Sequence, residues 1–113
     1  MSIKTISPTL SVSPQILPQN VAALASAGFR SIICNLPDGE CGSGQPGFDQ
    51  IAMAARATGM QAVYLPIVPG QAGPTEAAAF RDLINSLPTP IIAFCRSGNR
   101  SASIWAMSQA LRV

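Results

Sequence analysis

The sequence predicts a three-layer α/β/α fold on a mainly parallel sheet of four to five strands. Three observations carry that expectation. Short apolar runs, among them Ser31-Ile32-Ile33-Cys34, Ala62-Val63-Tyr64-Leu65 and Ile91-Ile92-Ala93-Phe94, alternate with amphipathic helical patterns. Their apolar residues are consecutive, as in strands covered on both faces. Turn residues separate the segments, and no repeat, low-complexity tract or long linker divides the chain. The 113 residues therefore read as one domain, 1–113.

The elements follow in order. Leu10-Ser11-Val12-Ser13 reads as a short strand able to pair with residues 3–6. Pro18 suits the first turn of a helix. Val21, Leu24 and Ala25 form that helix's apolar face, and Gly28 ends it. Residues 31–34 form a buried strand. Pro37-Asp38-Gly39 is a turn, and residues 41–47 a glycine-rich loop. Phe48, Ile51, Ala52 and Ala55 recur at helical spacing as far as Gly59. Residues 62–65 are a strand closed by Pro66, and residues 69–73 a loop. Thr75 is placed to cap a helix that turns Phe80, Leu83, Ile84 and Leu87 inward. Residues 91–94 are the last strand. In the final helix Ile104, Met107 and Leu111 make a less regular apolar stripe.

Composition removes several classes of function. Hydrophobic residues make up 48% and charged residues 11%, enough to bury a core. A net charge of +2 with no basic patch argues against nucleic acid. No apolar run approaches the roughly 18 residues of a membrane span, and residues 1–8 lack an apolar signal core. There is no histidine, so Ser-His and Cys-His catalysis and histidine-bearing zinc sites are excluded. Cys34, Cys41 and Cys95 are odd in number and lack CxxC spacing, which argues against a disulfide framework or a metal site. Free thiols suit a reducing, cytoplasmic setting. No cofactor is called for.

The informative segment is Phe94-Cys95-Arg96-Ser97-Gly98-Asn99-Arg100-Ser101. A cysteine lies between a buried strand and a helix, with small residues and two arginines after it. Inward backbone N–H groups and the helix N-terminus would favour a thiolate and an anion. Cys95 is the expected catalytic nucleophile. Arg96, Ser97, Gly98, Asn99, Arg100 and Ser101 are the expected anion-binding residues. In open parallel sheets ligands bind beyond the carboxyl ends of the strands, where this cysteine falls. The loops over 35–40 and 68–73 should form the rims. Asp38 is a candidate auxiliary acid, although Asp38 and Glu40 also read as turn and surface residues. Cys34 reads as strand core, and Cys41 as inert unless it resolves Cys95. Gly42-Ser-Gly44-Gln-Pro-Gly47 matches a dinucleotide fingerprint in form only, because it lies well past the strand end and contains Pro46.

The spacing Cys95-x4-Arg100 closely resembles the active loop of rhodanese-like sulfurtransferases. Cysteine-dependent phosphatases use Cys-x5-Arg, usually with histidine before the cysteine; here Phe94 stands there. Taken with Leu10-Ser-Val-Ser-Pro-Gln, 27–33, Leu36-Pro37-Asp38-Gly39-Glu40 and Gln45-Pro46-Gly47, the loop resembles the phosphatase-like domain of beta-lactamase-hydrolase-like proteins (DUF442) over nearly the full length. Leu36 and Cys34 depart from that pattern, where relatives often carry Arg and Asn. The resemblance implies a dual-specificity-phosphatase-like fold. It also implies a domain found alone or fused to a persulfide dioxygenase, so such a dioxygenase is an expected partner.

The fold points to a phosphatase and the loop to a sulfurtransferase. The loop over 66–73 holds no carboxylate to act as general acid, and sulfite needs no proton to leave thiosulfate. The sequence therefore favours sulfur transfer, with a Cys95 persulfide passing sulfur from thiosulfate or a persulfide to a thiol or cyanide. Arg96 would hold the sulfonate through its fork of donors. The alternatives are a phosphatase with a phosphocysteine at Cys95 and a non-enzymatic persulfide carrier or redox sensor.

Overall fold

The computed structural model describes residues 2–111. Five strands form one sheet in the order β1-β2-β5-β3-β4. They are β1 (Lys4–Ser7), β2 (Leu10–Ser13), β3 (Ser31–Cys34), β4 (Gln61–Tyr64) and β5 (Ile91–Phe94). The β1–β2 pair is antiparallel, and every other pairing is parallel. The helices are α1 (Val21–Ser26), α2 (Phe48–Ala57), α3 (Pro74–Ser86) and α4 (Asn99–Ala110), with a 3-10 turn over Pro18–Asn20 before α1.

The strands' apolar runs sort by the period of two. Ile32, Cys34, Ile92 and Phe94 face one layer, where Leu24, Ile51 and Ala55 of α1 and α2 close over them. Ile33, Ile91 and Ala93 face the other, with Ala77 and Phe80 of α3 and Ile104 of α4. Burying side chains of this size contributes about 1.5–3 kcal/mol each, so both faces are held by apolar packing. The expected three layers are present.

Two helix starts differ from expectation. The segment from Pro18 opens as a 3-10 turn in which Asn20 Oδ1 accepts the Leu17 N–H. The cap of α3 is Gly73 and not Thr75, because Pro74 takes the first helical position and Glu76 Oε1 accepts the Gly73 N–H at 2.9 Å.

Register decides what meets at the carboxyl edge. Ser13 and Cys34 both pair with Phe94, and Cys34 also pairs with Tyr64. The residues that follow this row, Pro14, Cys95, Asn35 and Leu65, therefore emerge side by side. Among the described residues no helix is long and apolar enough to cross a membrane.

Candidate active site

Cys95 is the first residue after β5 and is 1% exposed. Burial alone would suit a structural thiol, but Cys95 belongs to neither apolar cluster. Its Sγ accepts the backbone N–H of Gly98 at 3.0 Å, inside its own loop. The sulfur is thus the floor of the loop, with a donor aimed at it and α4 beginning immediately behind.

Gly98 is required there twice over. Its φ is +94°, in the left-handed region, and an added Cβ would lie 3.2 Å from the Ser13 carbonyl carbon. The loop is therefore seated against the end of β2. The Gln15 N–H reaches the Arg96 carbonyl at 3.4 Å and extends that contact.

The loop keeps donors in reserve. Among the described residues the amides of Arg96, Ser97, Arg100 and Ser101 have no hydrogen-bond acceptor, although Ser101 is fully buried. Buried N–H groups are normally paired, so the unpaired amide of buried Ser101, with three more free amides beside it at the start of α4, gives the loop the character of an anion nest. Ser97 Oγ accepts the Asn99 N–H at 3.3 Å and shapes the turn into α4. The Arg96 side chain is exposed and makes no hydrogen bond among the described residues.

Arg100 is fixed by two loops. Its Nη1 donates to Glu40 Oε1 and to the Ile67 carbonyl, both at 2.9 Å, and its Nη2 donates to Glu40 Oε2 at 2.8 Å. The pair is largely sheltered, at 17% and 15% side-chain exposure. This arrangement uses the terminal edge of the guanidinium and the outer Nη1–H. The Nε–H and the second Nη2–H, which share one edge of the planar group, keep no acceptor among the described residues. The hydrogen bonds to Glu40 raise the Arg100 pKa further above its ordinary value, with burial acting against them.

Asn35 joins the pieces. It is fully buried just after β3. Its amide donates to the Phe94 carbonyl, its Nδ2 to the Leu65 carbonyl, and its carbonyl accepts the Ile67 N–H. The Ser101 hydroxyl donates to Asn35 Oδ1 at 2.8 Å. Of Ser101, then, the amide is free for an anion while the hydroxyl is committed to the scaffold.

The remaining sequence candidates lie elsewhere. Asp38 is exposed; its N–H donates to the Tyr64 hydroxyl and its Oδ1 accepts the Phe48 N–H at the start of α2. Tyr64 in turn stacks on Phe48, with ring centroids 5.1 Å apart. Asp38 is therefore drawn toward the β4 side, away from β5. Cys34 is strand core, its thiol donating to the Leu36 carbonyl, and burial pushes it up to about 12. All three cysteines are free. A groove of about 220 Å³ beside the loop is lined by Lys4, Val12, Ser13, Ser97 and Asn99 among others.

Sequence reading missed Asn35 and the pairing role of Glu40. An asparagine directly after a buried strand was the one available signal for the first. Nothing local could have shown that Glu40 meets Arg100, 60 positions away.

Comparison with known proteins agrees with this architecture. Residues 2–112 match the family model described as beta-lactamase hydrolase-like protein, phosphatase-like domain. A beta-lactamase hydrolase-like protein of Agrobacterium fabrum is 32% identical over 115 residues; the match covers 98% of this chain and 26% of the relative. The chain thus spans about a quarter of the curated relatives' length. A candidate phosphatase from Neisseria meningitidis superposes with a TM-score of 0.89 at 31% identity, covering 97% of this chain and 78% of the other. At 18% identity, Pseudomonas aeruginosa TpbA in complex with phosphotyrosine shares the fold, with a TM-score of 0.70 over 95% of this chain and 61% of its own. The chain belongs to the family of beta-lactamase hydrolase-like protein phosphatase-like domains.

Proposed function

We propose that this chain is a cysteine-dependent phosphatase, and that Cys95 attacks the phosphorus of a small anionic phosphate substrate. The observation that carries the reading is the supply of unused donors around the sulfur. The Arg96, Ser97, Arg100 and Ser101 amides and the free edge of Arg100 lack acceptors. That set suits the three oxygens of a phosphoryl group better than the single outer sulfur of a persulfide. Membership in a phosphatase-like family supports the same ranking.

In the first step the Sγ–P bond forms and the P–O bond to the leaving group breaks, with the electron pair leaving on that oxygen. Amides and Arg100 bind the charge on the equatorial oxygens. In the second step water attacks the phosphocysteine, the S–P bond breaks, thiolate returns, and both water protons leave with dihydrogen phosphate. Arg96 screens the incoming dianion from the exposed side. A reducing compartment such as the cytoplasm keeps the nucleophile free.

Sulfur transfer is the second reading, favoured by the short Cys95-to-Arg100 spacing; a persulfide dioxygenase partner and a persulfide carrier role belong with it. One assay separates them. Purified protein is given an aryl phosphate in one arm and thiosulfate with cyanide in the other, with Cys95→Ser as blank. The expected result is phosphate release that Cys95→Ser abolishes. Thiocyanate without phosphate would reverse the ranking.

A further inference from the structure

We infer, on the basis of the phosphatase reading, that this site works without a general acid. It therefore selects phosphoryl groups on leaving groups that depart as stable anions, namely aryl, enol and acyl phosphates and phosphoanhydrides, over alkyl esters. The chain has no histidine and five carboxylates, Asp38, Glu40, Asp49, Glu76 and Asp82. Each can be placed. Glu40 spends both oxygens on Arg100. Asp49 accepts the Gln50 N–H in the first turn of α2, and Glu76 accepts the Gly73 N–H at the start of α3. Asp82 is exposed in the second half of α3, about 12 Å along the helix from the end that adjoins the site.

Asp38 is the remaining candidate, and its bonds hold it at the wrong strand. Its backbone is tied to Tyr64 at the end of β4, and its carboxylate to the first turn of α2, which packs on β4. In the order β5-β3-β4, Tyr64 stands two strands from the Cys95 strand, about 10 Å across the sheet. The Tyr64 hydroxyl accepts the Asp38 N–H on that same side of the sheet. The loop over 66–73, which does reach the site through the Ile67 carbonyl, carries no ionisable side chain. Among the described residues no carboxylate of the rim is placed to hand a proton to the leaving oxygen as the P–O bond breaks. Lys4 lies in the groove beside the loop, and a lysine ammonium is a poor proton donor at neutral pH. The second step is less affected, because its leaving group is the Cys95 thiolate, which departs without a proton.

A general acid contributes about 10²–10⁴-fold, most for the poorest leaving groups. Without one, rate should fall steeply as leaving-group basicity rises, roughly tenfold per pKa unit in the limit. The test is kcat/KM for acetyl, para-nitrophenyl and phenyl phosphate and for phosphoserine, each against the Cys95→Ser blank. The expected result is para-nitrophenyl phosphate ahead of phenyl phosphate by about 10²-fold or more, with phosphoserine at the blank. Turnover of all esters within about threefold would overturn the inference while leaving the phosphatase reading intact. So would a shallow profile that steepens in Asp38→Asn, which would make Asp38 the acid. No substrate above the blank would defeat the phosphatase reading and this inference with it.

Discussion

The bond between Glu40 and Arg100 should control how well the site binds an oxyanion, and Glu40→Gln tests it. Glutamine preserves length and keeps one accepting oxygen, but sets an amide NH2 against an Arg100 N–H. One of the two charge-assisted bonds, at 2.8 and 2.9 Å, is then lost, while the Ile67 carbonyl still holds Nη1. A bond to a charged group in a sheltered site contributes about 1.5–3 kcal/mol, so stability should fall by about that much. The guanidinium also gains freedom to rotate. A displacement of about 1 Å in a positioning group costs roughly 10²-fold in rate. Initial rates with an aryl phosphate should show kcat/KM lower by about that factor, and vanadate should inhibit more weakly. Urea unfolding supplies the stability change, and Arg100→Ala sets the lower limit of activity. The reasoning fails if Glu40→Gln loses stability yet keeps wild-type kcat/KM and vanadate affinity. In that event the ion pair only ties two loops together.

Two further outcomes are expected. Gly98→Ala should lose most vanadate binding and about 1–2 kcal/mol of stability, because a Cβ at φ +94° is strained and meets the Ser13 carbonyl; unchanged binding by calorimetry would refute the proposed seating of the loop. Cys34 keeps its proton to about 12 in the folded chain against an ordinary 9.0, so the unfolded state ionises first and stability falls as pH rises from 9 toward 12. The slope should approach about 1.4 kcal/mol per pH unit, and Cys34→Val should flatten it. Identical urea midpoints for both proteins across that range would show that Cys34 is not the cause.

The architecture could be read from the chain because it depends on local information. Consecutive apolar residues at 32–34 and 91–94 can be satisfied only by cover on both faces, and the 3.6 spacing of Phe48, Ile51 and Ala55 supplies one such cover. The helix starts were less legible. The capping box that set α3 at Gly73 competed with an equally plausible cap at Thr75, and only Pro74 tipped the choice. The Cys95 loop was legible for the same local reason as the strands. Cys95, Gly98 and Arg100 form one continuous loop whose strand before and helix after are both written in sequence.

The partners of that loop were not, since each lies on a separate strand end. Asp38 and Glu40 read as turn and surface residues, with Asp38 a candidate auxiliary acid; Glu40 is instead sheltered against Arg100, while Asp38 is exposed and bonded toward β4. By itself the sequence determined the layers, the Cys95 loop between strand and helix, and the donors within that loop. Only the tertiary structure decided how Arg100 is oriented, what Asn35 ties together, and that Glu40 is engaged by Arg100 while Asp38 bonds toward β4. The physical reason is that strand register, set by packing over the whole sheet, fixes which loop ends meet, and no short stretch of chain contains that information.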